Sequence, residues 1–247
     1  MAGVRSIFTM IESNATNKFD GLALLSKMPK ESVSCVFFDP QYRGVLDAMK
    51  FGNEKTGRQK ARANLTQMDE STIKKFIKNY DRILKASGYM FLWLDKYELC
   101  TGSFRNWLRG TSLCVVDLIV WNKMHKGLGR RSRHYCEFVV VIQKKPKTIK
   151  NWTDHDIADV FEEKIPTESE LRLQGKLGKN EKRHPHTKPL GLQKRLIEAV
   201  TTAGDTVIDC CAGSYSVLEA CRETGRRCIC CDIEFGEVWT EEMNIHK

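Results

Sequence analysis

The stretch SVSCVFFDPQYRG, residues 32 to 44, constrains this chain more than any other. Val33 to Phe38 is an apolar, β-branched and aromatic run of the length of a buried strand, and it stops at Asp39-Pro40-Gln41-Tyr42. A buried strand that ends in a carboxylate, a proline and an aromatic ring sets polar chemistry at the rim of a sheet. The rest of the chain alternates strand and helix signals. DESTIKKFIKNYDRILKASG places Ile73, Phe76, Ile77, Tyr80, Ile83 and Leu84 at helical spacing and offers Gly88 as its C-terminal cap. YMFLWL (89–94) reads as a buried strand, and a short helix is expected around 103–109. CVVDLIVW (114–121) and EFVVVIQ (137–143), joined by a basic loop, suit an antiparallel hairpin at one edge of the sheet. Pro189 opens a helix with Leu192, Leu196, Ile197 and Val200 on one face, and Gly204 ends it. This alternation predicts an α/β fold, a doubly wound and mostly parallel sheet covered on both faces.

Residues 146–186 are polar with little apolar periodicity, so they are expected to form an insert or small lobe between 1–145 and 187–247. No window approaches the 18 apolar residues of a membrane span, and the N-terminus lacks a basic-then-apolar signal. Of the ten cysteines, six (Cys210, Cys211, Cys221, Cys228, Cys230, Cys231) fall within 22 residues. They sit in strand-like runs rather than in paired knuckles of a loop, so they read as small buried hydrophobes in a reducing cytoplasm, and no metal is expected. The net charge is +9, and it is unevenly placed. Residues 121–150 hold nine Lys/Arg, among them Lys126, Arg130, Arg131 and Arg133, against the single acid Glu137. A second basic cluster contains Lys55, Arg58, Lys60 and Arg62. Two segregated, arginine-rich clusters favour a polyanionic partner over a merely solvated face.

Two constellations carry chemistry. TVIDCCAGSYSVLEACRETG followed by RRCICCDI reads as strand, small-residue turn, helix and a strand ending in Asp232. Such a unit brings backbone close to a nucleotide-type ligand at Ala212, Gly213 and Ser214, and sets an acid against ribose hydroxyls; an ordinary tight turn reads the same way. Ser216 and Glu219 have capping-box spacing for the helix behind it. Asp39-Pro40-Gln41-Tyr42, if more than a plain turn, suits methyl transfer to an exocyclic base amine, whose lone pair is delocalised into the ring. The Asp39 carboxylate and the Pro40 carbonyl can each accept one N–H, which favours a tetrahedral, more nucleophilic nitrogen, and Tyr42 can stack on the base.

Over most of its length the chain resembles the S-adenosylmethionine-dependent DNA amino-methyltransferases of the permuted class called beta. The resemblance runs through NKFDGLALLSKMPKESVSCVFFDPQY, LIVWNKMHKGLGRRSRHYCEFVVVIQKK, HPHTKPLGLQKRLIEAV and VIDCCAGSYSVLEA, in that order. It implies a Rossmann-like methyltransferase fold with permuted motif order and a small recognition lobe in 146–186. Double-stranded DNA is the implied substrate, with transfer to N6 of adenine; the alternatives are N4 of cytosine or a catalytically silent homologue that binds DNA or cofactor, and a homodimer is implied too. Asp39, Pro40 and Tyr42 would handle the target base. Asp209, Ala212, Gly213 and Ser214 would form the turn near the methionine part of the cofactor, flanked by Lys188 and Pro189. Asp232 would hold the ribose, and Asp20 would lie near the adenine ring. His184 and His186 are expected to be loop or DNA-facing residues. Two positions depart from the family pattern. Gln41 replaces a second proline, and Tyr215 stands where a second glycine is usual, so its side chain is expected either to crowd the cofactor or to force another backbone angle.

Overall fold

The structure is a computed structural model that describes residues 11–41, 67–127, 132–175, 177–180 and 186–238. Tyr42, Lys55, Arg58, Lys60, Arg62, Arg130, Arg131 and His184 lie outside the described residues.

Among these residues the strands form one eight-stranded sheet in the order β1-β8-β7-β2-β3-β5-β4-β6. They are β1 (Asn17–Lys18), β2 (Val33–Phe38), β3 (Leu84–Leu94), β4 (Leu113–Gly127), β5 (His134–Lys144), β6 (Val160–Glu162), β7 (Thr206–Asp209) and β8 (Arg227–Asp232). From β1 to β3 all neighbours run parallel, and β5 is antiparallel to both β3 and β4. The predicted hairpin is therefore present, but it lies one strand in from the edge, because β6 pairs parallel with β4.

The period-2 alternation of the strands sends side chains to two faces. Val36, Phe38, Leu92 and Ile208 meet α1 (Gly21–Lys27) and α2 (Glu70–Ile83) on one side. Cys35, Phe37, Phe91 and Val207 meet α5 (Leu190–Val200) and α6 (Ser216–Thr224) on the other. Two shorter helices are α3 (Lys96–Thr101), whose Leu99 packs against the first layer, and α4 (Glu168–Leu173). The clustered cysteines divide the same way: Cys210 and Cys231 pack with the first layer, and Cys221, Cys228 and Cys230 with the second. Burying an aliphatic or aromatic side chain of this kind contributes about 1.5–3 kcal/mol. No helix among the described residues is long and apolar enough to cross a membrane.

Three local expectations are corrected. First, α2 ends at Ile83, and the extended Leu84 opens β3 directly, so Gly88 is a strand residue and not a cap. The β2–β3 register shifts here, from Val33↔Leu84 to Cys35↔Tyr89. A Cβ at position 88 would lie 2.9 Å from the Ser34 carbonyl oxygen and 3.0 Å from the Leu84 side chain, so glycine is needed for close approach. Second, Ser216 and Glu219 form no capping box, because the N-cap of α6 is Tyr215. Third, 146–186 is not wholly an insert. Trp152, Ile157, Phe161 and Ile165 pack against the second core layer, and the Glu163 carboxylate accepts the Gly191 and Leu192 N–H groups, each at 3.0 Å. That carboxylate serves the orphan donors at the start of α5.

One of the nine basic residues of 121–150 is also turned inward. Lys144 donates to the carbonyls of Asp81 and Leu84 at 2.6 and 2.7 Å, where it satisfies the last turn of α2.

Gly88→Ala is expected to lower stability by about 1–3 kcal/mol through overpacking. The midpoint of urea unfolding measures it, and an unchanged midpoint would show that Ser34 yields freely.

Candidate active site

The chain leaves β7 toward β8 and leaves β2 toward β3, so it departs from these two adjacent strands in opposite directions. A crevice opens beyond the carboxyl ends of the strands at such a switch point. The strand ends bring Asp39, Asp209 and Asp232 to its wall, and α1, Lys188 and the turn after β7 complete it. Of the residues singled out in the sequence, Asp20, Asp39, Lys188, Asp209, Ala212, Gly213, Ser214 and Asp232 all line this one cleft. Pro40 follows Asp39 directly, and Pro189 is the N-cap of α5.

Each acid is set differently. Asp20 caps α1, accepting the Ala23 N–H at 2.7 Å. α1 can approach the end of β7 because Gly21 has no side chain: a Cβ there would lie 2.8 Å from that of Cys210. The Asp232 carboxylate accepts N–H groups from Gly213 (2.9 Å), Glu234 (2.9 Å) and Phe235 (3.1 Å), and so fixes the turns on both sides of the cleft floor. Asp209 is buried and accepts the Cys211 N–H at 3.0 Å. Burial pushes its carboxyl up to about 8, and Asp39 and Asp232 add to the rise against the downward pull of that N–H and of Lys188.

Lys188 departs from expectation. It lines the cleft, but its ammonium lies 2.9 Å from Asp39 Oδ2 and 2.9 Å from Glu137 Oε2, with the Trp93 ring centroid 4.9 Å away. Glu137 was only a lone acid in a basic segment of the sequence. Its other oxygen lies 3.3 Å from Lys123 Nζ. Burial would raise the Glu137 carboxyl, but the two lysines outweigh it and hold it down to about 2. Burial would likewise lower Lys188, and the two carboxylates instead raise it well above the usual lysine range.

Tyr215 does not crowd the cleft. Its φ of 57° is the left-handed angle that a glycine would supply, and its side chain is not part of the lining. The hydroxyl lies 2.8 Å from the Asn17 carbonyl and 2.9 Å from that of Phe235, which ties β1 to the turn after β8. The left-handed angle costs a non-glycine residue about 1–2 kcal/mol. The buried ring and its hydroxyl contacts offset that cost.

S-Adenosylmethionine, which the resemblance implies, carries a sulfonium cation, ribose hydroxyls and an amino-acid end. The cleft offers a matching set of groups. Its acids provide charge for a cation, and two buried polar atoms in its wall have no hydrogen-bond partner among the described residues: the donor Trp93 Nε1 and the acceptor Gln193 Oε1. Buried polar groups are almost always satisfied, so these two mark places for a polar ligand. Neither was singled out in the sequence, where Trp93 reads as part of a strand and Gln193 as part of a helix. A polar residue among the apolar positions of α5 is the signal that could have found Gln193.

Gln193→Leu removes a buried unsatisfied acceptor. It is therefore expected to raise the thermal midpoint of the cofactor-free protein while weakening cofactor binding roughly tenfold. Calorimetry reads both, and undiminished affinity would take Gln193 out of the site. Asp209 holds a proton below pH 8 in the absence of ligand. A cationic ligand favours the carboxylate, so binding at pH 7 should release a proton and affinity should rise between about pH 6 and 8. Binding enthalpies in buffers of different ionisation enthalpy test this; no buffer dependence would contradict it.

Comparison with known proteins bears on the whole arrangement. Residues 33–238 match the model of the DNA methylase family. The chain is 45% identical over 231 residues to the Type II methyltransferase M.HhaII of Haemophilus parahaemolyticus, covering 93% of this chain and 95% of that protein. It is 26% identical over 239 residues to the DNA adenine methyltransferase YhdJ of Escherichia coli, covering 85% and 75%. Among solved structures, the PvuII cytosine-N4-specific DNA methyltransferase shares the fold with a TM-score of 0.64 at 16% identity, over 88% of this chain and 81% of that one. The M1.HpyAVI–SAM complex matches at 0.57 and 17%, over 88% and 92%. A family match over most of the chain, a relative of almost equal length and this cleft lead to one conclusion: the protein belongs to the S-adenosylmethionine-dependent DNA amino-methyltransferases.

Proposed function

We propose that the chain methylates N6 of adenine in double-stranded DNA, with the target base flipped out of the stack into the cleft. The observation that carries this reading is the Asp39 carboxylate at the end of β2, in the same cleft as the turn after β7. An aspartate at the first position of that motif supports adenine, as does the likeness to a relative named a DNA adenine methyltransferase.

S-Adenosylmethionine would supply a methyl group on a sulfonium, activated for transfer to a nitrogen nucleophile because the S–CH3 bond breaks to leave a neutral thioether. The protein's part is to make the base amine that nucleophile. Asp39 accepts one N–H and the Pro40 carbonyl the other, so the lone pair is drawn out of conjugation and aimed. Proline fixes φ in this turn, which keeps its carbonyl in place. Once nitrogen carries the methyl group, its surplus proton passes along the hydrogen bond to Asp39 or to water. Tyr42, two residues beyond Pro40, is assigned to stack on the flipped base. Asp209, Ala212, Gly213 and Ser214 are assigned to the amino-acid end of the cofactor together with Trp93 and Gln193, Asp232 to the ribose and Asp20 to the adenine side.

The β4–β5 hairpin extends past the carboxyl ends of the parallel strands, since Leu94 is level with Phe138 and Phe138 with Val120. Lys126 and Arg133, both exposed, lie at that end of the hairpin. They are assigned to DNA phosphates together with Arg130, Arg131 and the basic cluster at Lys55, Arg58, Lys60 and Arg62. Within 146–186, helix α4 buries none of its residues and is available to read bases. The ten cysteines, all free, suit the reducing cytoplasm.

Asp39→Ala should abolish transfer from labelled cofactor to unmethylated DNA and leave cofactor binding in place. Mass spectrometry of the digested nucleosides from the wild-type reaction should show N6-methyladenine. N4-Methylcytosine would overturn the choice of base, and turnover by the variant would overturn the role of Asp39. Removing both Lys126 and Arg133 should reduce the slope of log affinity against log salt by about two. An unchanged slope would remove the hairpin from the DNA grip.

A further inference from the structure

Behind Asp39 stands a set of charges that takes no direct part in the transfer. Lys188 is 13% exposed, and its Nζ bridges Asp39 Oδ2 and Glu137 Oε2 at 2.9 Å each. The Trp93 ring lies 4.9 Å from the ammonium, and Lys123 Nζ lies 3.3 Å from the far oxygen of Glu137. Two carboxylates and two ammonium groups thus alternate from Asp39 to the base of the hairpin. Both Glu137 and Lys188 are held in their charged forms, so the chain of charges persists across the working pH range.

A lysine beside Asp39 without Glu137 would have one carboxylate to satisfy. It would close on that carboxylate and compete with the base amine for its lone pairs. Glu137 draws the ammonium the other way and keeps it fixed over Trp93, so Asp39 is oriented at Oδ2 while its charge is only partly neutralised. We infer that Glu137 is a positioning residue for the methyl-transfer step, acting through Lys188 to set the plane and the acceptor strength of the Asp39 carboxylate. The inference rests on the reading in which Asp39 accepts an amine N–H. It also explains why an acid sits alone among nine basic residues, at the β5 position level with Trp121.

The test is Glu137→Gln in the full chain, which keeps the size of the side chain and removes its charge. Steady-state transfer to duplex DNA should show kcat lowered roughly 10- to 100-fold, the range expected for a misplaced catalytic group. KM for DNA and the dissociation constant for S-adenosylmethionine should change less than about twofold, since Glu137 touches neither in this account. Lys188→Arg should retain more activity than Lys188→Met. A crystal structure of Glu137→Gln reads the positioning directly, without turnover: the ammonium of Lys188 and the carboxylate of Asp39 should have moved together. An unchanged kcat, or a loss shared equally by kcat and cofactor affinity, would overturn the inference, and so would a variant structure with both groups in place. Wild-type protein that methylates no DNA would instead overturn the proposed function, and the variant structure would still decide the positioning claim.

Discussion

The ammonium of Lys188, held between Asp39 and Glu137, is the contact on which the site depends. It joins three parts of the fold that are distant in sequence: the end of β2, the start of β5 and the entry to α5. Ion pairs whose carboxylates remain about a third exposed gain little net stability. Such a set is therefore better suited to fixing geometry than to holding a fold together. The fold is held instead by the two apolar layers, which bury the alternating faces of β2, β3, β5, β7 and β8. That division leaves the carboxyl ends of the strands free to carry acids.

Those acids share one cleft and serve different ends. Asp232 has three of its roughly four acceptor positions committed to backbone N–H groups, so it is an organiser of the turns as much as a ligand group. Asp209 is buried, and its raised pKa follows first from that burial and then from Asp39 and Asp232, against the downward pull of the Cys211 N–H and of Lys188. A sulfonium would relieve it. Among the described residues, Asp39 is the one of these three acids within ion-pair distance of a lysine, and that lysine is shared with Glu137. Proximity to a cation therefore distinguishes the acid assigned to the base from the acids assigned to the cofactor.

Much of this was legible in the residues. The alternation of β-branched runs with helical spacing was enough for the layers, because strand faces and helix faces obey fixed periods. The cleft followed from runs that end in Asp39, Asp209 and Asp232. What could not be read was set by contacts between distant segments. Gly88 stands where a helix cap would be expected, and only the register shift beside Ser34 shows that it belongs to a strand. Tyr215 looked like an obstacle because its left-handed angle and its carbonyl partners, 198 and 20 residues away, lie outside any local pattern. The segment 146–186 looked like an insert because its few apolar residues have no periodicity. Trp152 and Phe161 nonetheless seal one face of the sheet, and Glu163 caps α5.

The central claim is geometric: the target amine meets Asp39 and the Pro40 carbonyl while Lys188 stays on both carboxylates. The most direct measurement is a crystal structure of the full chain with duplex DNA and a non-reactive analogue of S-adenosylmethionine. The account predicts an extruded base whose exocyclic nitrogen lies within about 3 Å of an Asp39 oxygen and of the Pro40 oxygen, with the Lys188 bridge intact. An amine bound elsewhere in the cleft, or a Lys188 released from Asp39 when the base enters, would contradict it.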